Sequence, residues 1–511
     1  MVALGFEIEN GILKKCKNPY VTSVVIPEGV TRIEDKAFYG CRMLREVVIP
    51  DGVTAIGEEA FKWCEALERI TVPDSLASVG ARAFDLTKYY KTQSNWVKGS
   101  LYVGACLVAI DNRSAYEIKE GTRVIADSVF SGRSALAGIN IPDSVTTIGA
   151  KAFWGCTALE NVNIPPNVTR IGAEAFNNCK KIKSLDIPKG LTRIEDGVFC
   201  GCGALKDIVI PDGVTYIGIR AFKGCKGFRS IAIPEGVTRV SVAMLEDCFW
   251  LREVKIPKSV TSIGAHAFDH CRAIKSFDLP RGMTAVEPWS FAYCSALKTV
   301  VIPDTVTEIG DYAFDNCASL EKIDIPPGVE RIGRSAFGCC SALTELAIPE
   351  GVKKIEPIAF ANCNGLREVF LPKTSIEISD GVFAYVPDGV IFHLILGHMR
   401  IIEDEHWALS WGDVVRRALL QYFSDGADKL DVEWGRYICK QKRMAVDRLT
   451  DEPNVYRFLI EKKAVTAEWA DELLTKITDV ECRSILLEFM GDKRTKNKST
   501  DEIIDGLFSL D

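Results

Sequence analysis

Apolar residues recur along most of this chain with a period of 23 residues. In most repeats an isoleucine or a similar residue precedes a proline, a phenylalanine follows that proline by eleven residues, and a cysteine follows it by fourteen. The prolines are Pro27, Pro50, Pro73, Pro142, Pro165, Pro188, Pro211, Pro234, Pro257, Pro280, Pro303, Pro326, Pro349 and Pro372. Three columns that agree over this length indicate an internal repeat, which predicts a stack of similar structural units.

The repeat that ends at Pro73 shows which elements each unit predicts. Residues 50–52, Pro-Asp-Gly, are typical of a β-turn, since proline fixes one backbone dihedral and Asp and Gly suit the next turn positions. Residues 53–56 are mostly β-branched and predict a short extended segment, while residues 58–64 predict one or two turns of helix. Residues 67–72 end in alternating apolar and polar side chains, which predicts a strand with one buried face.

One repeat alone cannot cover its own Val, Ile, Phe, Cys and Leu side chains, so neighbouring repeats must cover them. We therefore predict a repeat solenoid over residues 21–388, mostly β with short helical turns and with about sixteen repeats. Trp96 and Lys119 occupy two proline positions in a degenerate stretch, residues 85–125, so the phase is kept through it. Stacked parallel strands, roughly 4.8 Å apart, predict an exposed sheet along one side.

The glycine seven residues after the proline, as in Gly57 or Gly310, is a recurrent feature of the repeat. Glutamate takes its place in four repeats, for example at Glu34 and Glu195. A position that accepts glutamate does not require a positive φ, so we predict ordinary backbone dihedrals there.

The repeat pattern ends near residue 388, and helical spacing replaces it in residues 389–511. Gly491 predicts the end of one helix. This region is predicted to be all-α, and two roles remain open for it: a cap on the last repeat, or a separate module that binds a partner or oligomerises. The residues predicted to begin its helices are Asp413, Pro453, Thr466 and Asp479.

Composition narrows the choice of function. A net charge of −7 does not favour binding to nucleic acid, which requires an excess of clustered Lys and Arg. Residues 390–396 form one of the longest apolar runs, which is too short to cross a bilayer, so no membrane insertion is expected. Residues 1–10 lack the basic and apolar parts of a secretory signal, which predicts a cytoplasmic location, with the cell surface as the alternative for a cropped chain.

The repeated unit resembles the BspA-like leucine-rich repeat family of bacteria and protists. The shared pattern is Ile-Pro-Asp-Gly-Val-Thr-x-Ile-Gly-x-x-Ala-Phe-x-x-Cys-x-x-Leu-x-x-Ile-x-Ile-Pro, and it covers about residues 20–386. Residues 9–13 are similar to the usual opening of such arrays, which implies a capping hairpin over residues 1–20, and residues 94–102 are similar to an interruption found in them. The resemblance implies a right-handed leucine-rich-repeat superhelix, a role in adhesion or protein recognition, and no catalysis.

Two groups of residues are candidates for chemical sites. The cysteine column suggests either a redox or metal-binding strip or a row of small buried side chains, and the second interpretation is favoured because buried cysteine commonly behaves as a hydrophobe. His266 and His270 lie four residues apart, yet no glutamate completes a His-Glu-x-x-His pattern. No phosphate-binding loop or nucleophile motif is present, so we expect no catalytic residues, no metal and no cofactor, and a hydrolase or transferase within residues 390–511 is disfavoured.

The predicted outward positions of the strands, four and two residues before each proline, are the candidate binding face. Acidic residues outnumber the basic ones there, which are Arg69, Lys255 and Lys322. Such a face suits a basic or polar protein partner. We therefore predict a protein–protein interaction scaffold, with a cell-surface adhesin that binds host or matrix proteins as the alternative. The acidic residues of this face are Glu46, Glu117, Asp186, Asp207, Glu253, Asp278, Asp324, Glu345 and Glu368.

Overall fold

A computed structural model of the chain describes residues 5–113, 116–372, 376–379, 381–387, 390–393, 400–401, 453–461 and 464–495. It divides into two compact units, residues 1–297 and residues 298–511. The chain is a β-solenoid of about sixteen repeats, mostly strands with few helices, and small helices lie in its C-terminal region. The predicted fold class is therefore confirmed, although two strands, Ile391–His393 and Arg400–Ile401, lie in the region from residue 389 that was predicted to be all-α.

Most repeats contribute a strand just before the proline position, and these strands form the first ladder. Neighbouring strands pair in parallel and in register, as Ser184–Asp186 does with Asp207–Val209. In the first unit the strands are Ser23–Val25, Glu46–Val48, Arg69–Thr71, Gly138–Ile139, Asn161–Val162, Ser184–Asp186, Asp207–Val209, Ser230–Ala232, Glu253–Lys255 and Ser276–Asp278. In the second unit they are Thr299–Val301, Glu345–Ala347, Glu368–Phe370 and Ile391–His393.

A shorter strand follows each proline and forms a second ladder. It is the extended segment predicted from the β-branched residues of each repeat, as in Ala55–Ile56. The others in the first unit are Arg32–Ile33, Ser78–Val79, Val124–Ile125, Thr147–Ile148, Arg170–Ile171, Arg193–Ile194, Tyr216–Ile217, Arg239–Val240, Ser262–Ile263 and Ala285–Val286. The second unit has Glu308–Ile309, Arg331–Ile332, Lys354–Ile355, Glu377–Ile378 and Arg400–Ile401.

The helix predicted at residues 58–64 is wrong, because this segment forms consecutive hydrogen-bonded turns. Glu59 and Trp63 have φ values of 54° and 65°, so the backbone leaves the helical region twice within one repeat. The amide of Phe61 donates to the carbonyl of Ala83, one repeat further on, at 2.8 Å. The segment therefore exchanges helical hydrogen bonds for bonds to the next repeat and forms a third side of the solenoid.

The phenylalanine column forms the centre of the core. The rings of Phe130, Phe153 and Phe176 are stacked nearly parallel, with centroids 5.0 and 5.2 Å apart. All three side chains are fully buried. The ring of Phe153 is thus covered by a ring of the repeat before it and a ring of the repeat after it, so an isolated repeat would leave both of its faces exposed.

The glycine seven residues after the proline has a packing role. Neither Gly57 nor Gly310 has a positive φ, as predicted. A Cβ atom on Gly172 would lie 2.4 Å from the backbone nitrogen of Ala150, so this position lets adjacent repeats approach closely. In the described part of the first unit, outside residues 85–125, the strands of the second ladder fail to pair with the preceding strand in three repeats. These three repeats have Glu195, Ser241 and Glu287 in place of the glycine.

The stretch at residues 85–125 contains an antiparallel hairpin that matches the N-terminal one. Phe6–Glu9 pairs with Ile12–Cys16, Ser100–Val103 pairs with Cys106–Ile110, and both hairpins have an irregularity in register after the second residue of the first strand. In each case the second strand then pairs in parallel with the second ladder. The interruption is thus built like the start of the array.

Trp96, predicted at a proline position, lies in the antiparallel strand Trp96–Val97 instead. A short helix, Lys88–Lys91, and a 3-10 helix, Gln93–Asn95, lead into this strand. The amide of Asp127 donates to the carbonyl of Val79 at 2.9 Å, so the repeat after the interruption packs directly on the repeat before it.

The described C-terminal helices are Pro453–Glu461, Ala467–Lys476 and Val480–Thr495. Thr466 caps the second, since its hydroxyl accepts from the amide of Trp469 at 3.2 Å, and Asp479 accepts from the amide of Cys482 at 2.8 Å. The predicted end at Gly491 is wrong, because Gly491 has no positive φ and the helix continues through it. The helix predicted at Asp413 lies outside the described residues. No described helix has the length and apolar character needed to cross a bilayer.

Candidate functional site

The first ladder presents one row of side chains to solvent, which we call the strand face. It consists of the residues four and two positions before each proline. In Ser184–Asp186 the outer residues are exposed and Leu185 between them is buried, and Ser276–Asp278 repeats this pattern around Phe277. The alternation predicted from the sequence therefore decides which side chains a partner can reach.

The structure places most of the predicted acidic residues at the surface, although two of them lie outside a strand. Glu117 and Asp324 belong to segments without assigned strands. Asp207 lies in a strand, but its side chain is outside the described part of the structure. The remaining side chains are exposed at Asp186, Glu253, Asp278 and Glu345, and half-buried at Glu46 and Glu368.

Several of these acids are already paired with basic neighbours. Glu46 lies 3.2 Å from Arg69, and Glu253 lies 3.7 Å from Lys255. The ammonium of Lys98 lies 2.7 Å from Glu117 and lowers the pKa of that carboxyl group. Asp324 lies 2.9 Å from Lys322 and raises the pKa of its amine. Exposed pairs of this kind contribute little to stability, so their charges remain open to exchange with a partner.

Three predicted acids have no such neighbour. Among the described residues, no cation lies within ion-pair distance of Asp186, Asp278 or Glu345. Asp186 and Asp278 belong to the same unit, and the strands between them include Val209, whose side chain is 81% exposed. This section of the strand face thus combines unpaired carboxylates with an exposed apolar side chain.

Two shallow depressions lie in this section of the strand face. One has a volume of about 580 Å³ and is lined by Asp186, Lys189 and Val209 among others. The other has a volume of about 450 Å³ and is lined by Glu253, Lys255, Ser276 and Asp278 among others. The surface in this section is therefore uneven as well as charged.

A column of positive charge beside these acids was missed from the sequence. Within the first unit, five consecutive repeats place an exposed lysine or arginine five residues before the proline, directly ahead of the first outward position of the strand. Only the two outward strand positions were considered, although the same alignment of repeats contains this third position. We call this set the basic column: Lys183, Lys206, Arg229, Arg252 and Lys275.

The cysteine column lies inside the solenoid. Cys64 and Cys156 are fully buried, and each thiol donates a hydrogen bond of 3.1 Å to a phenylalanine carbonyl of the preceding repeat. Burial raises the pKa of both thiols to about 12. Each described cysteine of this column is a free thiol. The geometry agrees with the interpretation of these residues as small buried side chains.

We expect the column thiols to resist modification while the protein is folded. At pH 8 a thiol reagent should react with the half-exposed Cys200 and Cys339 before it reacts with the buried thiols of the column, and the full number of 18 cysteines should react after denaturation. Because the folded pKa of Cys64 lies near 12, above the usual value of about 8.5, the stability from this neutral thiol is present below pH 8.5 and is lost as pH rises toward 12. Fewer than 18 free thiols in denatured protein from its native cells would indicate disulfides and contradict this interpretation.

The chain is similar to known leucine-rich repeat proteins. The model of the BspA type leucine-rich repeat region matches residues 7–96, 111–227, 192–317 and 285–389. No curated protein sequence matches the chain significantly. A leucine-rich repeat protein from Bacteroides ovatus is 27% identical, with 77% of this chain and 94% of that chain covered and a TM-score of 0.46.

Two further solved structures show the same kind of similarity. A leucine-rich cell surface protein from Faecalibacterium prausnitzii is 22% identical, with coverage of 77% of this chain and 90% of that one and a TM-score of 0.40. A leucine-rich repeat protein from Eubacterium ventriosum is 21% identical, with coverage of 70% and 88% and a TM-score of 0.34. Because the family model matches more than half of the residues, this chain belongs to the BspA-type leucine-rich repeat family.

Proposed function

We propose that this chain is a protein-interaction scaffold whose partner binds the strand face between residues 184 and 278. Membership of a leucine-rich repeat family is consistent with such a role, because stacked repeats create extended surfaces for binding. The observation that carries the proposal is local: five consecutive repeats align the basic column beside outward polar and acidic residues. The side chains of this section are exposed, so burial in the core does not account for their arrangement.

The charge arrangement defines the chemistry of the partner. Asp186 and Asp278 face basic groups of the partner, while the basic column, one position away along each strand, faces acidic ones. Val209 supplies an apolar contact between them, since its side chain is 81% exposed. A partner with both signs of charge at matching spacing therefore binds in one register, and a uniformly charged protein is repelled by one of the two columns.

Reversal of three acids of the strand face should weaken binding. We expect Asp186→Lys, Glu253→Lys and Asp278→Lys together to weaken capture of the partner by about tenfold or more, because like charges replace attractive pairs. The partner is first recovered with the wild-type protein from cells of the native organism and identified by mass spectrometry. Its affinity for both proteins is then measured by titration.

The matched control reverses three acids in the turns just after the proline. Glu28, Glu235 and Asp304 are exposed and lie off the strand face, so Glu28→Lys, Glu235→Lys and Asp304→Lys change the net charge by the same amount. This control should bind with the affinity of the wild type. Equal affinity for the strand-face variant would contradict the proposal, and equal loss in the control would reduce it to a general charge effect.

A cell-surface adhesin remains the alternative prediction and would use the same strand face. An adhesin binds its partner outside the cell, whereas an internal scaffold binds its partner inside the cell. Protease treatment of intact cells separates them, because a surface protein is degraded and an internal one is protected. Degradation in intact cells would favour the adhesin.

A further inference from the structure

A cluster of ionisable side chains lies on the turn segments, away from the strand face. The carboxylate of Asp269 lies 3.0 Å from Nδ1 of His266 and 2.7 Å from Nδ1 of His270. Its side chain is only 7% exposed. Glu246 comes from the preceding repeat, and donor atoms of Glu246, His266 and Asp269 all lie within 4.8 Å of one another. The stacking of repeats thus places the carboxylate of Glu246 beside His266 and Asp269, which the spacing of the two histidines alone does not reveal.

The surrounding aromatic residues hold the two imidazoles in place. The ring of His266 stacks on Trp289 at 5.6 Å and 10°, and the ring of His270 stacks on Tyr293 at 4.3 Å and 12°. Both aromatic residues belong to the next repeat, 23 residues further along the chain. Three consecutive repeats therefore build the cluster, and the orientation of its donors is fixed by packing rather than by the local chain.

The electrostatics of the cluster favour a cation. Two carboxylates lie close together, and Asp269 is buried, where an uncompensated negative charge is unfavourable. Lys223 lies 2.7 Å from Glu246 and supplies one positive charge. If both imidazoles are neutral, the carboxylates of Glu246 and Asp269 and the ammonium of Lys223 have a net charge of −1. A bound divalent ion would change this net charge to +1.

We propose that Glu246, His266 and Asp269 form a binding site for a divalent ion of the zinc type. One imidazole nitrogen with two carboxylates is a ligand set for zinc and similar transition metals, whereas calcium and magnesium prefer oxygen ligands alone. Zinc lies about 2.0–2.2 Å from such donors, so the three side chains close by on the order of 1 Å when it binds. His266 is partly exposed, which leaves a coordination position open to water.

His270 and Lys223 adjust this site without being ligands. His270 donates to the second oxygen of Asp269 and orients the carboxylate, as outer partners of metal ligands commonly do. Lys223 competes with the ion for Glu246. Because Glu246 and Asp269 belong to adjacent repeats, the bound ion joins these repeats and stabilises their stacking.

The test measures zinc bound to the full-length protein after metal removal and dialysis at pH 7. We expect one zinc ion per chain and a rise in the midpoint of thermal unfolding. His266→Gln and Glu246→Gln should each weaken binding by about tenfold or more. Lys223→Gln should strengthen binding because it removes the competing charge. Glu174→Gln, in a turn segment away from the cluster, is the matched control and should leave zinc affinity unchanged.

The two ligand variants keep the proposal testable if one of them fails to fold, and circular dichroism establishes the folding of each. Zinc affinity weaker than about 100 µM in the wild type would overturn the proposal. So would full zinc binding in folded His266→Gln and Glu246→Gln proteins. Loss of zinc on thiol blocking, with both ligand variants still loaded, would assign the metal to cysteines and also overturn it.

Discussion

Phe153→Ala is expected to lower the free energy of unfolding by about 3–5 kcal/mol. The ring of Phe153 is fully buried and stacks on Phe130 and Phe176, with centroids 5.0 and 5.2 Å away. Truncation leaves a cavity that faces two repeats at once, and the stacked backbones on either side restrict its collapse. Urea denaturation followed by circular dichroism measures the loss.

The matched control is the next residue, Trp154, whose side chain is 39% exposed. Trp154→Ala removes a larger aromatic group from the same segment but from its outer side. We expect it to change the free energy of unfolding by no more than about 1 kcal/mol. Equal losses in the two variants would show that the phenylalanine column is not the centre of the core.

Gly172→Ala is expected to destabilise the protein by about 1–3 kcal/mol, although a single methyl group is added. That methyl group would lie 2.4 Å from the backbone nitrogen of Ala150 in the preceding repeat, and a backbone atom cannot move aside as a flexible side chain can. The two repeats must separate instead. Thermal and urea unfolding measure the effect.

Gly190→Ala is the control for backbone entropy. Gly190 also lacks a positive φ, but a Cβ atom there meets only the methyl group of Thr169 at 3.6 Å, an ordinary contact. This variant should match the wild type or exceed it slightly, because alanine restricts the unfolded chain. Destabilisation of both variants to the same degree would contradict a specific packing role for Gly172.

Much of the fold could be predicted because each repeat has the same pattern of buried and exposed positions. The buried positions of Leu185 and Phe277, between exposed neighbours, follow from period-two alternation alone. Thr466 and Asp479 were predicted as helix caps because their side chains suit that position, and both accept hydrogen bonds from the helix that follows.

The turn segments could not be predicted in the same way. Residues 58–64 have a composition that suits a helix, yet Glu59 and Trp63 adopt left-handed dihedrals. Non-glycine residues rarely adopt such dihedrals by themselves, and here hydrogen bonds to the next repeat favour them. A tertiary contact therefore overrides a local preference, which inspection of one repeat does not reveal.

The candidate sites were predictable only in part, for a related reason. The acids of the strand face follow from outward strand positions, whereas the joining of Glu246 to His266 and Asp269 depends on contact between repeats. The separation of Glu246 and Asp269 by one repeat, 23 residues, is the sequence signal that could have indicated this cluster. Alignment of all repeats by column, rather than inspection along the chain, would also have revealed the basic column.

Excision of one repeat tests the stacking of 23-residue units most directly. Deletion of residues 166–188 joins Pro165 to Lys189 and keeps every column in phase, whereas deletion of residues 166–176 removes about half a repeat and shifts every later column. We expect the first variant to keep the circular dichroism of the wild type and to unfold cooperatively, and the second to lose structure. Equal behaviour of the two variants would contradict the account, because phase would then not determine which side chains are buried and which reach the strand face.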